Sequence, residues 1–364
     1  MTKPAKDPQI VSQPAPHFPR TPFRDILAAP GVRERWEKIR KFNFLRESTY
    51  DMSNRCNIRC EGCYYYQGDK QFAEEILDPE AWRHLMRQEK DRGITYVVLA
   101  GAEPSLVPEL LKVCADEIPL GSIASNGVKK IPESVGYKVH ISVWGNDQTS
   151  LRLRKAKDLL SRQIDNYAGD PRAVFVYTFT PDNIAEAADV VALLAGRNCR
   201  VTFNVFSSPV GYTGPLRHTP QSRQEMRQAM LDLIEDYPEH VLFSPYNAVV
   251  HSHDLGLHEL FSCPYPRMNP ATDLGLGRSF RQVRTNLQWD RGAACCVPDT
   301  DCADCRHYAS GSAVVTARMY RHASDLDTFK AWLDYVDNYL AVWVMGYRKD
   351  PHLSDRLVPP PKAE

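Results

Sequence analysis

The sequence has no run approaching the ~18 consecutive apolar residues that a membrane-spanning helix needs, and no apolar segment near its start of the kind an export signal carries. Both absences point to a cytoplasmic protein. It also lacks net charge: Lys and Arg number 45, and so do Asp and Glu. That balance gives no electrostatic case for nucleic acid or an anionic membrane as a partner. A third absence is local. Asp51 to Tyr66 holds Cys56, Cys60 and Cys63 in a C-x3-C-x2-C spacing, with no fourth cysteine.

Thiolates so close together can serve one soft metal centre, but three do not close the four-ligand shell of a structural zinc. A [4Fe–4S] cluster is ordinarily held by four thiolates, so three leave one iron open to a small molecule. The chain has 364 residues, enough for one large domain of the α/β-barrel size or two ordinary ones. Of its ten cysteines, eight fall in two groups: the triplet, and Cys263, Cys295, Cys296, Cys302 and Cys305. Without an export signal these read as metal ligands or buried thiols rather than disulfides. Cys114 and Cys199 sit in apolar patterns and are expected in the core.

In chain order, residues 1–22 carry Pro4, Pro8, Pro14, Pro16, Pro19 and Pro22 and read as an extended arm. Residues 32–39 form a charged helix flanking the main domain. The first strand is 48–53, and the cysteine loop follows it directly. Asp78 and Pro79 are an N-cap and a first-turn proline for a helix to Arg92, closed by Gly93. Strands over 95–100, 121–125, 137–143, 173–180 and 200–206 then alternate with helices over 105–117, 147–167, 184–195 and 220–237; 128–136 is too rich in Pro and Gly for a full helix. Six such runs imply a parallel sheet with helices outside it, as a closed barrel or an open one. Ligands bind at the carboxyl ends of strands in sheets of this kind.

The cysteine loop lies at that level. So do Gly101-Ala102-Glu103-Pro104 after the second strand, Ser125-Asn126-Gly127 after the third, Ser142 and Trp144 at the fourth, Tyr177 and Thr178 on the fifth, and Asn204 on the sixth. Each alone reads as an ordinary turn or strand residue. Their register after consecutive strands makes them a candidate site.

Cys56-x3-Cys60-x2-Cys63 after a first strand, with Gly101-Ala102-Glu103-Pro104 after a second, resembles the radical SAM superfamily over roughly residues 48–240. The resemblance implies a partial (β/α)6 TIM-like barrel with an N-terminal arm (1–47) and a C-terminal Cys-rich extension (241–364). It also implies a [4Fe–4S] cluster on Cys56, Cys60 and Cys63, with S-adenosylmethionine on the open iron. Reductive cleavage of that molecule would yield a 5′-deoxyadenosyl radical that abstracts hydrogen from a substrate. Cofactor contacts are then expected from Tyr64, Gly101, Ala102, Glu103, Pro104, Ser125, Asn126, Ser142 and Asn204. Three positions depart from the family pattern. Gly62 stands where an aromatic is common, Ala102 replaces a glycine, and Trp144 replaces an acidic residue.

The second cysteine group resembles the SPASM or Twitch extensions that hold an auxiliary [4Fe–4S] cluster, or a vestigial tail. Zinc fits the same thiols. His251, His253 and His258 have no strict metal spacing and read as loop histidines. Residues 326–347 form an amphipathic helix for the barrel or a partner subunit. With only about 47 residues before the first strand, a small-molecule substrate is favoured over a peptide. A peptide-modifying maturase with an auxiliary cluster is the alternative, and a non-catalytic iron–sulfur or zinc protein the second. An electron donor such as flavodoxin or ferredoxin is the further partner implied.

Overall fold

The computed structural model describes residues 21–43, 45–63, 65–66, 74–261, 280–289, 300–308 and 324–349. Seven strands make one sheet: β1 (Glu47–Asp51), β2 (Tyr96–Ala100), β3 (Gly121–Ser125), β4 (Lys138–Val143), β5 (Ala173–Phe179), β6 (Val201–Val205) and β7 (Gln282–Val283). Their order is β6-β5-β4-β3-β2-β1-β7, and every pairing is parallel. Six of them are the expected strands of a partial barrel. The seventh is two residues long, too short for a period-2 pattern, and joins the outer side of β1.

The helices are α1 (Phe23–Leu27), α2 (Val32–Arg40), α3 (Pro79–Asp91), α4 (Pro108–Glu117), α5 (Asp147–Arg154), α6 (Leu159–Tyr167), α7 (Ala187–Gly196), α8 (Pro220–Asp236), α9 (Pro245–His251), α10 (Leu257–Phe261) and α11 (Leu326–Trp343). Asp78 caps α3 as expected, accepting from Glu80 N and Ala81 N. The single helix expected over 147–167 is instead two. Lys155 (φ 54°) and Asp158 (φ 51°) take left-handed backbone. The Asp147 carboxylate then accepts from Leu160 N at 2.6 Å and Ser161 N at 3.2 Å, meeting donors of the restarted helix that would otherwise lack partners. As a result Arg154 ends α5 close to the cysteine loop.

Strand side chains alternate between two faces. One set, including Tyr50, Val97, Leu99, Ile123, Val139, Ile141, Phe175 and Phe203, is fully buried with residues of α3, α4, α6, α7 and α8. The opposite set contains Tyr96 and Val174, which share a second core with α1, α2, α9, α10 and α11. Phe23, Trp36, Phe329 and Trp332 join the first two helices to α11, with ring centroids 5.3–5.9 Å apart. Two ion pairs, Arg35 with Asp334 and Lys38 with Asp337, reinforce that junction. The C-terminal helix therefore packs inside the open barrel, against the inward residues of β2 and β5.

Candidate active site

The cysteine loop leaves β1 and is tied at once to the end of β2. Met52 N donates to Ala100 O at 2.9 Å, and Ala102 N to Ser53 O at 2.8 Å. Gly101 makes this approach possible. It has φ +94°, and a Cβ there would stand 2.6 Å from Met52 N. Gly62 answers a different constraint, with φ +63° and the Phe206 ring 2.8 Å from where its Cβ would be. The aromatic ring missing from position 62 is thus supplied against it by Phe206, just past β6. Phe206 also meets Trp144 edge-on at 5.8 Å and Tyr212 at 5.6 Å.

One cavity of about 270 Å³ lies inside the barrel, and its lining runs from Cys56, Cys60, Cys63, Tyr66, Gly101, Ala102, Glu103, Ser125, Asn126, Trp144 and Arg154 at the strand ends down to His140, Asn204, His307, Tyr308 and Trp343. At the upper rim Glu103 is buried and fixed by three donors: Ser105 N at 3.0 Å, Ser125 Oγ at 2.8 Å and Asn126 N at 2.8 Å. A carboxylate offers about four acceptor positions, so one remains for a ligand. Asn126 Nδ2 donates to Asn57 Oδ1 at 2.7 Å and to Cys56 Sγ at 3.6 Å.

Arg154 was not expected from the sequence, where Leu151 to Arg154 merely alternates Leu and Arg. It is 3% exposed. Its Nε donates to Cys60 Sγ at 3.3 Å and its Nη1 to Ser142 O, and its guanidinium lies 5.8 Å from the Trp144 ring. Burial pushes the Cys56 and Cys63 thiols up, and the neighbouring Cys60 adds to the shift in each. Backbone N–H groups of Ile58, Tyr65 and Tyr66 act in the opposite sense.

The floor is assembled from residues far apart in the chain. Asn204 Oδ1 accepts from Tyr308 N at 2.9 Å, Ser207 Oγ from Arg306 N at 2.9 Å, and Asp304 Oδ2 from Ser208 N at 3.0 Å. These bonds dock residues 300–308 on the end of β6. His140 Nε2 lies 3.1 Å from Val342 O, which can only accept, so Nε2 carries the proton. Nδ1, 2.8 Å from the Tyr308 hydroxyl, is then the acceptor, since burial pushes this imidazole down to about 3 and keeps it neutral. Burial also pushes His307 down to about 3.

Of the expected contacts, Gly101, Ala102, Glu103, Ser125, Asn126, Ser142 and Asn204 all line the cavity. Pro104 opens a 3₁₀ turn behind Glu103 and is not among the lining residues. Asn204 lies at the floor, with its Nδ2 3.2 Å from Thr178 Oγ1 as well as its bond to Tyr308. Tyr64, Cys263, Cys295 and Cys296 fall outside the described residues. Cys302 and Cys305 border a 3₁₀ turn, and Cys305 packs on the inner core, away from the cavity lining. His251 is a core residue bonded to Arg306 O at 2.8 Å and the Tyr335 hydroxyl at 3.1 Å.

Residues 50–160 match the family model of the radical SAM superfamily. The chain carries a radical SAM domain. Over 157 residues it is 28% identical to the sporulation killing factor maturation protein SkfB of Bacillus subtilis (strain 168), covering 39% of this chain and 38% of that protein. Over 92 residues it is 33% identical to an S-adenosylmethionine-dependent nucleotide dehydratase of a Thermoplasmatales archaeon (strain ISO4-H5), covering 24% and 31%. The chain thus spans about a third of the length of these curated relatives. Among solved structures, Streptococcus suis SuiB bound to precursor peptide SuiA aligns with 70% of this chain and 61% of that one, at 16% identity and a TM-score of 0.49.

Radical SAM enzymes use a [4Fe–4S] cluster and S-adenosylmethionine. The donor set fits the cluster. Three thiols line one cavity, yet among the described residues no three His, Cys, Asp or Glu groups converge on a position for a single metal ion. A cluster takes one thiolate per iron and needs no such convergence. The Asn126 amide and the Arg154 guanidinium donate to two of the sulfurs, as groups behind a metal's ligands commonly do. For the second cofactor, the rim offers a carboxylate and a guanidinium of opposite charge, both buried. Among the described residues no helix is long and apolar enough to cross a membrane.

Proposed function

We propose that this cavity is the active site of a radical SAM enzyme acting on a small molecule. Cys56, Cys60 and Cys63 hold the [4Fe–4S] cluster, and S-adenosylmethionine fills the upper cavity. When bound, the two together supply a 5′-deoxyadenosyl radical that takes a hydrogen atom from the substrate. Glu103, anchored by Ser105, Ser125 and Asn126, offers its remaining acceptor position to the cofactor's ammonium group. Arg154, held by the Trp144 face and Ser142 O, offers its donors to the carboxylate. Charged hydrogen bonds of this kind are among the stronger ones, and burial spares them from solvent competition. Phe206, Trp144 and Tyr212 cover the loop and exclude water from the chemistry below. Ser142 is the remaining cofactor contact expected near the rim, whereas Asn204, expected as another, lies at the floor bonded to Tyr308 N and Thr178 Oγ1; an electron donor such as flavodoxin or ferredoxin would reduce the cluster.

The observation that carries this reading is the meeting of the cysteine triplet, Glu103 and Arg154 on one cavity. Its test is anaerobic reconstitution, reduction and addition of S-adenosylmethionine. The expected product is 5′-deoxyadenosine; its absence from protein with a spectroscopically confirmed cluster removes the reading. A peptide-modifying role is the second reading, favoured by the resemblance to a maturation protein. An auxiliary cluster on four of the five thiols of Cys263, Cys295, Cys296, Cys302 and Cys305 accompanies that role. Iron left on a variant lacking Cys56, Cys60 and Cys63 would reveal it.

A further inference from the structure

Among the described residues, two buried side-chain atoms on the lining of this cavity have no hydrogen-bond partner: Thr49 Oγ1 and His307 Nδ1. Thr49 is 2% exposed and sits two residues before the end of β1, below the level of the cysteine loop. His307 comes from the docked segment 300–308, and its Nδ1 has no hydrogen-bond partner among the described residues. A buried polar atom without a partner is costly and rare in folded proteins. Two of them on one cavity mark a place where a ligand completes the hydrogen bonding.

The chemistry of the surroundings narrows the ligand. Among the described lining residues the carboxylate and the guanidinium belong to Glu103 and Arg154 at the rim, while the floor offers hydroxyl, amide and imidazole groups. Burying a charge there without a counter-charge is strongly unfavourable. A threonine hydroxyl and a neutral imidazole each both donate and accept, as do the hydroxyls of a polyol. Val98, Ala124, Val176 and Trp343 supply apolar surface beside them, suited to the C–H face of a ring. We propose that the floor is a subsite for an uncharged polyhydroxylated group, a glycosyl or cyclitol ring, with Thr49 and His307 as its hydrogen-bonding residues. This rests on the reading of the upper cavity as the cofactor site.

The test is ligand-observed saturation-transfer NMR on the cluster-loaded protein with S-adenosylmethionine present. The probes are neutral pyranosides, furanosides and cyclitols, their phosphorylated counterparts, and capped dipeptides. Saturation of one or more neutral members is expected, with weaker or no signal from their phosphates and from the dipeptides. Thr49→Val keeps the shape and removes the hydroxyl, and His307→Ala removes the imidazole; each should weaken binding of the neutral probe about fivefold, the worth of one neutral hydrogen bond. Thr49→Val should also raise the apparent melting temperature by about 2 °C, because an unsatisfied buried group is gone. A hydroxyl serving structure alone would lower it. If no neutral probe binds, if phosphates or dipeptides bind instead, or if Thr49→Val leaves probe affinity unchanged, the subsite is refuted. Binding of S-adenosylmethionine to the same wild-type sample separates the two ideas. Its failure overturns the cofactor reading, whereas its success without any neutral probe overturns only this one.

Discussion

The two ends of the cavity are built in opposite ways. The upper rim comes from short motifs directly after consecutive strands, and the bond from Arg154 to Cys60 within it spans 94 residues. The floor joins residues 168 and 202 apart, in the bonds from His140 to Tyr308 and to Val342. The rim is charged and donates to sulfur; the floor is neutral and partly unsatisfied. A common chemistry needs a rim of fixed composition, while the floor can be rebuilt by whatever the termini bring to it. On the proposed function, specificity then belongs with the C-terminal segments that supply His307, Tyr308 and Trp343.

The largest test of that division acts on the rim. Cys60→Ala should abolish 5′-deoxyadenosine formation while leaving the far-UV circular dichroism of a folded barrel, since Cys60 is only half-buried and sits beside a small apolar cluster outside the two main cores. Retained cleavage would show that the triplet is not the cluster site. Next comes the floor. Trp343→Ala removes a ring that is 4% exposed, stacks on Tyr308 at 5.4 Å and meets His140 at 4.5 Å. It should cost about 3–5 kcal/mol in denaturant unfolding. A cost under about 1 kcal/mol would mean that α11 is not integral to the barrel.

A smaller effect distinguishes the ends by pH. Burial lowers His140 to about 3 and His251 to about 4, both beneath the inner face of the sheet. The unfolded chain protonates these groups below about 6.5 while the folded one does not. Their contribution to stability is thus complete above that pH and is lost as pH falls toward the folded values. The slope is about 1.4 kcal/mol per pH unit for each histidine. Unfolding midpoints measured from pH 7.5 down to 5 should fall, and His140→Asn, which keeps a donor and an acceptor, should flatten the curve. An unchanged curve would mean that His140 is not held neutral in the fold.

Much of the outer architecture was legible in the sequence because each strand and its helix satisfy their patterns locally. Val97, Leu99, Ile141 and Phe175 alternate with inward positions, and Asp78 and Pro79 announce α3. The rim was legible for the same reason, save Arg154. Its place depends on the left-handed Lys155 and Asp158, and nothing in their residue types forecasts that backbone. The floor could be read only in part. Lys138, His140 and Ser142 at alternate positions of β4 mark a polar inward face, and Asn204 continues it on β6. Thr49 and His307 gave no signal, because their roles arise from the docking of 300–308 on β6. The period-3.6 stripe of α11, Trp343 included, showed that it packs on the barrel or on a partner subunit, and the structure puts it on the barrel.

The smallest predicted effect asks whether the two ends are mechanically joined. Phe206 lies just past β6, the strand that docks the C-terminal segment, and its ring occupies the space beside Gly62 in the cysteine loop. Gly62→Ala adds a methyl 2.8 Å from that ring at φ +63°, so it carries a backbone cost of about 1 kcal/mol plus a steric one. Phe206→Leu in the same chain should relieve the steric part alone. In a double-mutant cycle the two changes should then couple favourably by at least about 0.5 kcal/mol, above the scatter expected of independent sites. Additivity would instead mean that the loop absorbs the methyl on its own. In that case the substitutions at the floor should leave the cysteine loop undisturbed, because the Phe206 contact through which β6 would transmit them carries no strain.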